Sequence, residues 1–79
     1  MNEIRVLFFT DQRGGGKDYI ATAVTDEDEI LSSHISSSLD WAKKDIIRPI
    51  HLEKYNKHFP NGYRVKFNEE IIYDSSKWW

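Results

Sequence analysis

Hydrophobic and polar positions change period twice along this chain. Residues 4–10, IRVLFFT, are aliphatic, aromatic or β-branched with a single charge, a run that suits a central strand. DQRGGGKD (11–18) is turn chemistry, because successive glycines accept positive φ at little steric cost. YIATAVT (19–25) reads as a second strand and the acidic Asp26–Glu29 as a turn. ILSSHI (30–35) reads as a third strand with Leu31, Ser33 and Ile35 on one face. These three predict an antiparallel meander.

The period then becomes helical. Ser37 and Asp40 have the spacing of a capping box, although Asp replaces the preferred Glu or Gln. Leu39, Ala42 and Ile46 fall on one stripe of a helix that should stop before Pro49, since a residue preceding proline avoids the helical region. A second short helix over 51–59 aligns Leu52, Tyr55 and Phe59, and Pro60-Asn61-Gly62 ends it. Tyr63, Val65 and Phe67 alternate with Arg64 and Lys66, as in a half-buried strand, and Ile71–Tyr73 could add another. The order βββααβ(β) predicts an α+β fold: one domain over 1–74 with a tail at 75–79, and an antiparallel sheet carrying both helices on one face.

Composition narrows the picture. Seventy-nine residues make one small domain with a thin core. Ile, Val, Leu and Phe number 20, above the roughly 20% below which chains stay disordered. No cysteine is present, which removes disulfides, thiolate catalysis and cysteine-based zinc sites. The opening MNEIRVLFFTDQ has no basic leader and too short an apolar run for a signal peptide or a membrane span, so a cytoplasmic protein is expected. The net charge of −2 hides an asymmetry. Residues 1–40 carry three basic and eight acidic side chains, whereas residues 41–79 carry eight and five.

Several segments invite chemistry. Arg13-Gly14-Gly15-Gly16-Lys17 resembles a phosphate loop, but Asp18 follows the lysine and a strand follows in place of a helix. Asp26–Glu29 lacks the glycine and distal glutamate of a calcium loop. His34 lies near Ser36, Ser37 and Ser38, with Asp40 as a candidate third group, yet helix capping alone explains those serines. His51 and His58 share one side of the second helix without the ligand set of a zinc site, and a solvated basic face is the expectation. No catalytic residue, metal or cofactor is assigned. Lys43, Lys44, Arg48, Lys54, Lys57, Arg64 and Lys66 make one side basic, which suggests nucleic acid as a weaker alternative partner, against a pI of 5.8.

Tryptophan carries more information. Trp41 falls on the polar side of its helix beside Lys44, Asp45 and Arg48, so something covers it or it is exposed. Trp78 and Trp79 pose the same question at the terminus. Since Trp and Arg dominate interface hot spots, Trp41, Lys44, Arg48, Trp78 and Trp79 are the candidate partner contacts. An alternative is a small pocket for a nucleotide-like ligand built from Ser36, Ser37, Trp41 and Arg48. A second copy of the chain could also cover what a thin core leaves open.

The segments HISSSLDWAKKDI (34–46) and HLEKYNKHFPNGYRVKF (51–67) resemble a pattern in small accessory proteins encoded by tailed phages. The resemblance covers about half the chain and carries no catalytic residue with it. It implies a setting in the bacterial host cytoplasm, where such proteins bind and modulate a host protein, including defence systems. The expected function is therefore non-enzymatic protein–protein contact.

Overall fold

The structure, a computed structural model, describes residues 2–13 and 16–76. Seven elements follow one another: β1 (Asn2–Arg13), β2 (Gly16–Val24), β3 (Ile30–Ser36), α1 (Leu39–Asp45), α2 (Pro49–His58), β4 (Tyr63–Phe67) and β5 (Glu70–Asp74). The strands form one sheet in the order β3-β2-β1-β4-β5. The apolar β1 is central, as its sequence suggests, and the β1-β2-β3 meander is antiparallel.

The sheet as a whole is mixed, which corrects the purely antiparallel expectation. β4 runs parallel to β1, with Ile4 opposite Val65 and Val6 opposite Phe67. The cause lies in the connection. β3 has the direction of β1, and the two helices carry the chain back across the sheet before β4 begins. Parallel strands need such a long crossover, whereas a hairpin would have reversed the strand. β5 then closes antiparallel onto β4, with a register shift between Val65 and Lys66. Asn68 takes φ 57° in the connecting turn.

Both helices cover the same face. Ile4 and Val6 of β1, Ala21 and Ala23 of β2, and Tyr63, Val65 and Phe67 of β4 meet Ala42, Ile46 and Tyr55 in one buried core. The Tyr55 hydroxyl donates to the Ile46 carbonyl at 2.8 Å, tying α2 to the end of α1. Tyr63 donates to Asn56 Oδ1 at 2.7 Å. Gly62, at φ 122°, supplies the turn from α2 into β4, a conformation that a Cβ would oppose.

Two helix details differ from the sequence reading. Ser38, not Ser37, caps α1 by accepting the Trp41 amide on its hydroxyl. Leu39 is 41% exposed, because it starts the helix at the rim of the core that Ala42 and Ile46 fill. Pro49 opens α2 at its first turn, where a missing N–H costs nothing. Beyond Thr10 and Tyr19, β1 and β2 pair only with each other and extend past the other strands.

Candidate functional site

Alternation along β3 turns Ser32, His34 and Ser36 toward the helices, opposite Ala23, Ala21 and Tyr19, while Ser33 and Ile35 face away. Asp45 at the end of α1, Arg48 before α2 and His51 in its first turn come down onto that row. The result is a chain of polar contacts buried between sheet and helices. The Ser32 hydroxyl meets His51 Nδ1. His51 Nε2 lies 2.8 Å from His34 Nδ1, the two rings edge to face. His34 Nε2 faces Asp45 Oδ2 at 3.7 Å. Ser36 donates to the same carboxylate oxygen at 2.6 Å, and Arg48 Nε donates to Oδ1 at 2.6 Å.

Electrostatics fix the charges at the two ends. The Ser36 hydroxyl and the Arg48 guanidinium hold the Asp45 carboxyl below the usual carboxylate range, so it is an anion. Burial, reinforced by the positive fields of His34 and Lys54, pushes His51 below the ordinary histidine value and favours its neutral form. No buried side-chain polar atom is left unsatisfied among the described residues.

This cluster changes several sequence readings. His51 does not share a solvated basic face with His58; it is 5% exposed, because α2 turns it into the sheet. His58 lies at the exposed end of α2, 3.7 Å from Glu29. Asp45, not Asp40, completes the group around His34, since Asp40 faces solvent in the first turn of α1. Spacing held the clue: Ser32, His34 and Ser36 alternate on one strand, and Asp45, Arg48 and His51 recur every third residue.

Among the described residues, the four members of the alternative ligand set sit in different surroundings. Ser36 is buried with its hydroxyl committed to Asp45, and Ser37 is exposed on the connection to α1. Trp41 and Lys44 meet on α1, and Arg48 is exposed just past its end. Trp41 is 52% exposed and Lys44 Nζ lies 5.3 Å from its ring centroid, within cation–π range. Arg48 is half-exposed, its Nε pinned by Asp45. Lys44 also lines an open groove of about 390 Å³ between α1 and β5, with Ile47, Ile71 and Ile72 as its apolar lining. Trp78 and Trp79 lie outside the described residues, as does the middle of the glycine run.

Much of the basic side is paired with carboxylates. Lys43 pairs with Glu70, Arg64 with Asp74, Lys66 with Glu3 and Lys57 with Glu53. The acidic 26–29 segment is a compact turn. The Thr25 hydroxyl accepts the Glu27 and Glu29 amides, and Asp28, at φ 63°, accepts from Arg5. Among the described residues, no three His, Asp or Glu side chains are grouped to hold a metal ion, and no helix is long and apolar enough to cross a membrane. On the face away from the helices, Leu7, Phe9 and Ile35 are exposed around Ile20. No protein-family model matches the chain, and no curated protein or solved structure matches it either.

Proposed function

We propose that this chain is a non-enzymatic accessory protein of the phage type, acting in the bacterial host cytoplasm by binding a host protein through Trp41, Lys44 and Arg48. The observation that carries the reading is the state of these three side chains. A large indole stands half in solvent with a lysine over its ring, and just past the same helix an exposed arginine is held by hydrogen bonding to a buried carboxylate. Pre-fixing a long side chain lowers the entropy lost on binding, and exposed Trp and Arg are the residue types that dominate interface hot spots. The groove beside Lys44 gives a partner side chain an apolar place to enter.

The neighbouring polar cluster supports a structural rather than a catalytic part for its serine. Ser32 is 5% exposed beneath α2 and its hydroxyl is engaged by His51. The pairing of basic side chains with carboxylates likewise favours a protein partner over a nucleic-acid backbone, whose affinity comes from unpaired cations releasing counterions.

The test is affinity capture from host cytoplasm with the wild-type chain, Trp41→Ala and Arg48→Ala as baits, each checked for an unchanged melting curve. A hot-spot tryptophan costs about 2 kcal/mol or more when truncated. Retention of the partner should therefore fall about 30-fold for Trp41→Ala. Equal retention by all three baits would refute the reading.

A further inference from the structure

We propose that His34 and His51 form a single proton-binding unit between Ser32 and Asp45: the pair takes up one proton as a shared cation with α2 still seated on β3, and a second proton forces the rings apart. The inference rests on the hydrogen-bond geometry of the cluster and is independent of the binding role proposed for α1.

Four ring nitrogens set the count. One faces Ser32, one faces Asp45, and the remaining two face each other at 2.8 Å. A nitrogen–nitrogen contact this short holds one hydrogen, because two would collide and none would oppose two lone pairs. With both rings neutral, one further hydrogen remains. The Asp45 carboxylate, 3.7 Å from His34 Nε2, favours it there, because an anion attracts an N–H and repels a lone pair. The neutral chain then has one direction: Ser32 donates to His51 Nδ1, His51 Nε2 donates to His34 Nδ1, and His34 Nε2 points its hydrogen at Asp45.

One added proton fits without moving a heavy atom. It occupies the last free position, His51 Nδ1, and the Ser32 hydroxyl rotates from donor to acceptor. The contact hydrogen can then sit on either ring, so the positive charge belongs to the pair, as in any strongly coupled titration. Asp45 stabilises that charge. Arg48 at the head of α2 and Lys54 one turn beyond His51 oppose it, and no charged side chain of β2 faces the pair, where Ala21 and Ala23 lie opposite. A second proton has no position left except the contact itself. The hydrogen bond between β3 and α2 then becomes a repulsion between two imidazolium rings, and the Ser32–His51 end opens with it.

The experiment is a pH titration of the full chain with ¹⁵N-labelled imidazoles, followed by long-range ¹H–¹⁵N spectra. His58, paired with Glu29 instead, is the internal reference. The expected result is one common first midpoint for His34 and His51, at which His51 Nδ1 changes from lone pair to N–H while the α2 amides keep their shifts. The second step, at lower pH, should move the α2 amides. In His34→Gln the common step should vanish and leave His51 titrating alone. In Asp45→Asn the common midpoint should fall by about 1 pH unit, the low end of the effect of an adjacent opposite charge. His34→Gln is a substitution at a half-buried, solvent-edged position and keeps hydrogen-bonding capacity toward His51. Two separate midpoints in the wild type, each unchanged when the other histidine is replaced, would overturn the proposal. So would an Asp45→Asn midpoint equal to the wild type's.

Discussion

Replacing Asp45 by Asn separates the charge of this residue from its shape. In the native chain the carboxylate accepts from Ser36 Oγ and from Arg48 Nε, both at 2.6 Å, and faces His34. Hydrogen bonds to a charged group contribute about 1.5–3 kcal/mol each, against about 0.5–1.5 for neutral ones. Asn keeps a single acceptor oxygen, so one of the two donors loses its partner and meets an N–H₂ instead. Arg48 is half-exposed, and solvent screens its share. The expected net cost is about 2 kcal/mol. For a domain of this size that lowers Tm by about 8–16 °C. The assay is urea unfolding of both chains at pH 7, 5 and 3, with Asp40→Asn as the solvent-facing control, expected within about 0.5 kcal/mol of wild type. The sign with pH follows from the lowered carboxyl value. Wild-type advantage is full above the unfolded pKa of about 3.9 and is lost as pH falls through the folded value. An Asp45→Asn cost below about 0.5 kcal/mol at pH 7 would refute the role given to this carboxylate. A cost that persists undiminished in strong acid would refute its electrostatic origin.

Two further outcomes follow from the same structure. Tyr55→Phe removes the buried bond to the Ile46 carbonyl and leaves that acceptor unpaired, which should cost about 1–2 kcal/mol in urea unfolding with an unchanged m-value. Because burial lowers the His51 value in the folded chain, the unfolded chain binds its proton first. Stability should therefore decline as pH drops below about 6.5, and the decline should be shallower in His51→Gln; calorimetry across pH 8 to 5 reads both slopes.

Much of the architecture is legible from local pattern. The apolar run of β1, the β-rich run of β2 and the alternation in β3 and β4 mark the strands, Pro49 separates the helices, and Gly62 ends the second, because each depends on residues near in sequence. The parallel β1–β4 pairing is of another kind. It depends on how far α1 and α2 carry the chain back across the sheet, which no window of neighbouring residues encodes. The polar cluster divides in the same way. Ser32, His34 and Ser36 share a face by alternation alone, whereas Leu31, expected on one face with Ser33 and Ile35, packs against the core instead. That His51 turns inward while His58 stays out depends on the angle at which α2 lies over β3. Helical spacing puts the two histidines on one side of the helix but cannot tell its buried end from its free one. Trp41 was readable as a residue off the apolar stripe, and it stands half in solvent beside Lys44.

The proposed docking face around α1 is tested most directly by hydrogen–deuterium exchange of the chain alone and in complex with whichever host protein it captures. Amides over 39–48, around Trp41, Lys44 and Arg48, should become protected while those of β1 and β2 near Phe9 and Ile20 keep their rates. Protection confined to the helix-free face of the sheet, with 39–48 exchanging as in the free chain, would contradict the account.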